Sequence, residues 1–506
     1  MKRQKILIVT LLCLFVLLLA GYFLVIRPMT QTPEETEEDP PETEEGEALG
    51  NGDRFFLFGS LERSDIAQIE VENEYGTFAF YQAGENEFVI RGYDSVPYDE
   101  TLFASLVNVS AYTLSKVKVG SNLSDEKIAE YGLDTPVARW SVTSTGGDQF
   151  TVLVGDRLLT GGGYYCMLEG RRSVYVLGTE VADTILVPVE NYVTPVLTTG
   201  ISQENYYEVD KFTVYKDGEM LLRIRLKDKK DQSNPDALAE TIMDYPTAYN
   251  PDANGYYEII FAYLELQADS CYKLGATAAD FAAVGLDAPA HEITFEYEGQ
   301  EFDLSFSART EEGTYYVCSN LYPNVIGICS AENHTYLEYS LIDWINPYIY
   351  QENITNIRQI RISTDTVQAD FHLEHDVDAQ DKPLLTVTTE GRTLAEDYIP
   401  EFRKFYQSLV ALAIQDYYAA DTYATMTPEE MEAFAADPEN AYMTFTATTL
   451  SGEETVYRFY PYSTRHSLVT INGVGEFYVL TDLVKKVEND AQRVLNGEEI
   501  EAFGKN

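Results

Sequence analysis

From Ser124 the chain reads SDEKIAEYGLDTPVARWSVTST. Ser124 can cap a helix, because its hydroxyl accepts from a free amide of the first turn. Gly132 fits the C-terminal cap of that helix, and Pro136 prevents the helix from continuing. The residues that follow read as a strand. The same helix, turn and strand recur as TAADFAAVGLDAPAHEITFEYEG from Thr277 and as TPEEMEAFAADPENAYMTFTATT from Thr427. The three starts are spaced by 153 and then 150 residues. Asp280 and Glu430 complete capping boxes with Thr277 and Thr427, and Pro428 takes a first helical position. Gly285 and Pro289 repeat the stop signal of the first copy.

Other elements keep the same order around this landmark. Each copy opens with a strand: IAQIEVE at Ile66, FTVYKD at Phe212 and IRQIRIS at Ile357. Apolar residues recurring every three or four positions predict helices over Leu102 to Val117, Tyr257 to Leu274 and Tyr398 to Tyr417. After the landmark come three strands per copy: FTVLVGD, YYCMLEG and SVYVLG; FDLSFSA, YYVCSN and VIGICS; VYRFYPY, SLVTING and EFYVLT. A helix closes each copy, at Thr179 to Leu186, Asn333 to Trp344 and Thr481 to Leu495. The expected fold class is α+β. It comprises three tandem modules of about 150 residues, each an antiparallel sheet meander with helices covering one face. The modules are residues 54–200, 201–350 and 351–506.

An uncharged apolar run, Ile6 to Ile26, precedes the modules and is long enough to span a bilayer. Lys2, Arg3 and Lys5 stand before it and Arg27 after it, so the N-terminus is expected in the cytoplasm and residues 28–506 outside it. Residues 1–28 therefore read as an uncleaved signal anchor, a transmembrane helix behind which the modules follow. Residues 29–53 read as an acidic linker, kept extended by like charge and by Pro33, Pro40 and Pro41. The chain holds 35 basic and 83 acidic residues for a net charge of −48, which excludes a nucleic-acid partner. A 45% hydrophobic and 13% aromatic content excludes wholesale disorder. Five cysteines in 506 residues exclude a disulfide-built scaffold.

Gly132-Leu133-Asp134-Thr135-Pro136, then Val152-Leu153-Val154-Gly155-Asp156, Tyr164-Tyr165 and Val174-Tyr175-Val176-Leu177, form a series behind the apolar run. That series resembles the bacterial family called domain of unknown function 4340, over roughly residues 60 to 200 and in part beyond. The second copy keeps Gly285-Leu286-Asp287-Ala288-Pro289 but has Ser307-Ala308 in place of Gly-Asp; the third, with Ala435-Ala436-Asp437-Pro438, loses the glycine. The resemblance implies an anchored, extracytoplasmic protein, of a kind often encoded beside the permease or auxiliary subunits of gliding-type ABC transporters. It implies no reaction and no catalytic residue.

Candidate chemistry is sparse. Ser124-Asp125-Glu126-Lys127 matches S-x-x-K without its companion motifs and coincides with a helix cap. Gly161-Gly162-Gly163 lacks the Lys-Ser or Lys-Thr of a phosphate loop and reads as a turn between strands. Asn250, Asp252, Asn254 and Gly255 match a calcium loop whose last ligand would fall on Phe261, so a turn explains them better. His372 and His375 are the weak metal candidates, although on a strand they point oppositely. Cys318 and Cys329 flank a hairpin and are the candidate disulfide. The tyrosine pairs Tyr164-Tyr165 and Tyr315-Tyr316 should each put one ring outward, which suits a binding surface. No catalytic set and no cofactor are expected. The expected function is a membrane-anchored binding or scaffolding protein, accessory to an ABC-transporter-linked envelope complex, with the membrane contacted through residues 6–26. The alternatives are a cell-wall glycan- or peptide-binding module and, behind it, an envelope hydrolase with an unrecognised site.

Overall fold

A computed structural model describes residues 47–50, 54–84, 87–226, 241–377 and 383–502. The apolar run Ile6 to Ile26 lies outside the described residues, and among these no helix is long and apolar enough to cross a membrane. Two compact units emerge. One comprises the described residues up to Arg91 with Glu100–Val187; the other comprises Gly92–Asp99 with the described residues from Pro188 onward. The fold is α+β, with three large antiparallel sheets.

The first unit opens with β1 (Ala48–Leu49) and β2 (Phe55–Phe56), which pair with each other. Its large sheet holds β3 (Ile66–Asn73), β4 (Gly76–Gly84), β5 (Glu87–Ile90), β6 (Val117–Gly120), β7 (Ala138–Ser144), β8 (Gln149–Arg157), β9 (Tyr164–Leu168) and β10 (Val174–Leu177). The strand order is β5-β4-β3-β7-β8-β9-β10-β6. Two meanders thus meet at β3 and β7, and β6 crosses to the far edge. Alternation along β7 buries Ala138, Trp140, Val142 and Ser144 on one face. Helix α1 (Glu100–Ala111) covers that face, and Ser110 Oγ accepts from Trp140 Nε1 at 3.1 Å. Helix α2 (Asp125–Glu130) covers part of the other, where Ile128 and Leu133 join Leu153, Met167 and Val174. Each such side chain contributes about 1.5–3 kcal/mol when fully buried. Helix α3 (Thr179–Ile185) closes the sheet.

The second unit repeats this plan twice. Its first sheet contains β11 (Asp210–Lys216), β12 (Glu219–Leu226), β13 (Thr241–Tyr245), β14 (Ser270–Leu274), β15 (His291–Tyr297), β16 (Gln300–Phe306), β17 (Thr314–Ser319) and β18 (Val325–Ser330), ordered β13-β12-β11-β15-β16-β17-β18-β14. Helices α4 (Ala253–Ala262), α5 (Ala278–Ala283) and α6 (Leu341–Trp344) accompany it. The second sheet contains β19 (Ile357–Thr364), β20 (Gln368–Val377), β21 (Pro383–Thr389), β22 (Arg392–Thr393), β23 (Ile414–Tyr417), β24 (Met443–Thr449), β25 (Glu454–Pro461), β26 (His466–Ile471) and β27 (Val474–Leu480). Apart from the added edge strand β22, its order β22-β21-β20-β19-β24-β25-β26-β27-β23 is the same. Helices α7 (Ile399–Val410), α8 (Pro428–Ala435) and α9 (Thr481–Asn496) complete it. One hydrophobic core runs through both sheets, from Phe212 and Phe295 to Phe371 and Phe402.

Three expectations need correction. The helices predicted through Val117, Leu274 and Tyr417 end at Ala111, Ala262 and Val410, and the tails become the edge strands β6, β14 and β23. After Ala111 the backbone is taken by β2 and its neighbour, with Leu57 donating to the Thr113 carbonyl at 3.1 Å and Phe55 to Ser115 Oγ at 3.0 Å. Helices lie on both sheet faces, because the landmark helix covers the face opposite the long helix. Within the segment read as linker, residues 47–50 are described: Ala48–Leu49 form β1, and the buried Glu47 carboxylate lies 3.1 Å from Lys118 Nζ.

The landmark turn is a steric joint. Ser124 Oγ accepts from the Lys127 amide, Gly132 sits at φ +68°, and the Asp156 amide donates to the Tyr131 carbonyl at 2.8 Å. A Cβ on Gly155 would stand 2.2 Å from that carbonyl oxygen, and one on Gly132 would stand 2.5 Å from Asp156 Oδ1. The two glycine motifs are therefore halves of one contact. Gly155→Ala should destabilise the chain by about 1–3 kcal/mol, whereas Gly162→Ala, with only Thr160 Oγ1 nearby at 3.9 Å, should be nearly neutral. Thermal unfolding of the two variants checks this.

A buried relay gives the second unit a pH dependence. Tyr263 donates to Tyr336 at 2.8 Å, and the Tyr336 hydroxyl lies 2.7 Å from His334 Nδ1, where its proton can meet a neutral imidazole. Burial pushes the His334 pKa down, against the opposing pull of Asp269. Burial likewise lowers His291. The unfolded chain then takes up these protons first. Stability should be complete above about pH 6.5 and fall as the pH drops through the folded values. Urea unfolding at pH 7.5 and 5.5 should register that loss, and His334→Gln should shrink it.

Candidate binding cleft

At one end of the first unit's sheet, the residues after the landmark turn border a cleft of about 630 Å³. Thr135, Pro136 and Val137 form one wall, Glu72, Asn73 and Glu74 another, and Tyr164 and Leu186 a third; Ala138 and Arg139 complete the lining. This is an ordinary volume for a small-ligand site. Asn73 ends β3, and its Nδ2 donates to the carbonyls of Ile185 at 2.8 Å and Val187 at 2.9 Å. It thereby ties the strand to the end of the closing helix, filling carbonyls that α3 leaves without intrahelical partners. Arg139 is engaged by Glu169 at 2.7 Å. Glu72 and Glu74 are exposed and have no ion-pair partner among the described residues. The Tyr164 hydroxyl likewise has no hydrogen bond among them.

Strand register places the corresponding residues of the other sheets. Ala138 aligns with His291 and Met443, Asn73 with Lys216 and Thr364, and Tyr164 with Tyr315 and Ser467. In the second sheet this place is filled. Tyr315 is fully buried and donates to Glu338 Oε1 at 2.7 Å, and Lys216 reaches the Glu338 carbonyl at 3.4 Å. In the third, Tyr442 and Thr364 both donate to Glu488 of α9, with the Thr364 contact at 2.7 Å. All three sheets tie the end of their first long strand to the closing segment. The first keeps a cleft beside the tie, where the other two place a bonded tyrosine.

The candidate residues read from the sequence are distributed as follows. Tyr164 faces the cleft, and Tyr165 packs against Tyr131 at 4.5 Å between ring centres, under α2. Tyr315 is in the core, which removes it from any binding surface. Its neighbour Tyr316 is half-buried beneath α5, 4.8 Å from the Tyr272 ring. Cys318 and Cys329 are both free, because β17 and β18 put them on opposite faces: Cys329 packs with Tyr315 in the core, Cys318 with Tyr316 and Ile326 outside it. The disulfide expectation is thereby corrected. His372 is exposed on one face of β20, while His375 Nε2 donates to the Ile357 carbonyl at 2.8 Å on the other. No group of three metal-ligating residues assembles among the described residues. Ser124 and Asp252 are helix caps, and Lys127 lies 2.5 Å from Glu130.

A second polar cluster escaped the sequence reading. His466 Nδ1 lies 2.6 Å from Asp421 Oδ2, which also accepts from Tyr462 at 2.5 Å, and the imidazole stacks on Tyr478 at 4.4 Å. Burial raises the Asp421 pKa, but these donors and the Tyr423 amide outweigh it and hold the carboxyl below its ordinary range. Such a carboxylate fixes the imidazole tautomer. Among the described residues, no serine, threonine or cysteine side chain is bonded to this imidazole. Forty-five residues separate the pair, which hides it from any local pattern.

Comparison with known proteins gives one match. Residues 97–260 match the family described as Domain of unknown function (DUF4340). No curated protein matches, and no solved structure matches. The matched stretch begins just before α1, includes the landmark joint, Tyr164 and the closing helix, and ends inside α4. It is thus out of step with the sheets, taking the later part of the first and the opening of the second. Over residues 97–260, this chain resembles the DUF4340 family.

Proposed function

We propose that the protein is a binding or scaffolding component of a membrane-linked envelope complex, with no catalytic activity of its own. Residues 6–26 supply the anchor, since an uncharged run of that length suits the hydrocarbon core of a bilayer. The basic residues before the run orient the N-terminus inward and leave residues 28–506 on the outer side of the cytoplasmic membrane. The folded part is three tandem modules descended from one unit. The observation that carries the reading is the repetition of a single strand order in three sheets, with an open cleft in one and self-filled equivalents in the others. Duplication with divergence at one surface suits recognition better than chemistry, which needs a reactive set held in place. The family resemblance points to ABC transporter permease and ATPase subunits as the partners.

A cell-wall glycan- or peptide-binding role is the second reading, favoured by the Tyr164 ring on the cleft wall. Affinity purification of the tagged full-length protein from gently solubilised native membranes, with mass spectrometry, separates the two. Permease and ATPase subunits should be recovered with it. Recovery of the protein alone would overturn the transporter-linked reading.

A further inference from the structure

We propose that the cleft of the first unit binds an extended peptide segment bearing lysine or arginine side chains, with the cations held by Glu72 and Glu74 and a peptide carbonyl by the Tyr164 hydroxyl. The inference rests on the binding reading above and specifies its partner chemistry.

Three observations converge on it. The first is what fills the same place in the other two sheets. In the second, Tyr315, the counterpart of Tyr164, finds the Glu338 carboxylate of the closing segment; in the third, Tyr442, the counterpart of Val137, finds Glu488. In the first unit the closing segment brings Leu186 to the cleft instead, and Tyr164 is left with an undelivered proton. Small Ala138 stands where His291 and Met443 stand, and Val137 stands where Tyr442 does, so the space stays open.

The second is charge. An acceptor for Tyr164 could be a carboxylate, as for its counterpart Tyr315, but Glu72 and Glu74 already place two negative charges in the lining. Arg139 does not offset them, because Glu169 takes its guanidinium. A neutral carbonyl satisfies Tyr164 without adding to the repulsion, and a neighbouring cation relieves it. A peptide with a basic side chain supplies both within one residue. A sugar supplies hydroxyls but no cation.

The third is shape. Pro136, Val137 and Leu186 give the cleft an apolar border, against which the methylene stem of a lysine or arginine can lie while its charged end reaches the carboxylates. Val137 is 44% exposed, an unfilled surface for that stem.

The test uses the full-length protein in mild detergent at about 0.15 M salt, where contacts beyond roughly 8 Å are screened. The probe is fluorescein-labelled Ala-Lys-Ala-Lys-Ala-Lys-Ala, read by anisotropy. An unlabelled Glu-for-Lys peptide and an N-acetylglucosamine trisaccharide serve as competitors. The labelled peptide should bind and neither competitor should displace it. Glu72→Gln with Glu74→Gln should weaken binding about tenfold, and Tyr164→Phe about two- to tenfold. Val137→Tyr should plug the cleft and abolish binding. The double change Glu298→Gln with Glu390→Gln, at exposed turns of the second unit, should leave affinity within about twofold. Both pairs of Glu→Gln changes are on exposed residues and should leave the melting temperature unchanged, so misfolding cannot imitate the result. Absence of binding, displacement by the trisaccharide, or equal loss in the distant double variant would overturn the proposal. Peptide binding without recovery of transporter subunits would overturn only the transporter-linked reading, and the reverse outcome only this one.

Discussion

Each sheet depends on one contact between residues more than a hundred positions apart: the end of the first long strand grips the segment that closes the module. Asn73 holds the Ile185 and Val187 carbonyls, Lys216 the Glu338 carbonyl, and Thr364 the Glu488 carboxylate. The strand concerned is an interior member of its sheet, paired on both sides, so the contact fixes where the closing segment must lie. A long loop closed this way loses much conformational freedom, and the loss grows only slowly with loop length. The chemistry of the tie is free to vary, because an amide, an ammonium and a hydroxyl can each meet an orphan carbonyl or carboxylate. What varies with it is the space left beside the tie.

That space is shaped by the length of the closing helix as well. Helix α9 runs for 16 residues, with Val484, Val487, Ala491 and Val494 on its buried side and Gly497 at φ +71° as its cap. Helix α3 stops after seven, at Ile185, and Pro188 follows within three residues. The third sheet is therefore covered by its own chain beyond Glu488, whereas the first unit ends its cover at the cleft. The charge of the molecule acts on the same feature. With 83 acidic and 35 basic residues, most carboxylates have no cation to pair with. The exposed pairs that do form, such as Arg91 with Glu70 and Arg172 with Asp125, contribute little to stability. Glu47 with Lys118 is different, because this pair lies in a largely buried site, where the Lys118 ammonium also sits over the Phe55 and Tyr175 rings. The surplus of carboxylates leaves a negative field that draws cationic partners and repels anionic ones.

Much of this was legible in the residues. The capped landmark helix, its glycine stop and the strand after it are local patterns, and Ser124, Thr277 and Thr427 all cap as their spacing suggests. The helix ends were not legible. Val117 to Gly120, Ser270 to Leu274 and Ile414 to Tyr417 carry apolar residues in step with the preceding helix, yet each finds its hydrogen bonds on a distant strand. Tyr315 and Tyr316 obey strand alternation, as does the separation of Cys318 from Cys329. The sequence could not say that helices would cover both faces and so bury the outward member of each pair. Tyr164 escapes because its sheet ends beside it. The cleft itself is a product of register between remote strands, and the pairing of Asp421 with His466 joins a loop to a strand 45 positions away; neither leaves a mark on local composition.

The departures among the copies now have a physical order. In the first, Gly155 and Gly132 allow the turn carbonyl of Tyr131 to approach the strand within the reach of a hydrogen bond. In the second, Gly285 keeps its left-handed conformation, but nothing lies within 4 Å of where its Cβ would be, so the contact behind it has opened. In the third, Ala436 continues the helix in right-handed geometry and the glycine is dispensable. The joint is tightest in the copy whose following residues line the cleft. A turn held by backbone contact positions Thr135 to Val137 more firmly than one held by side chains alone. The steric demand at Gly155 and the open cleft beside it therefore occur together in the first copy, whereas in the other two the turn is looser and the closing segment bonds into the corresponding place.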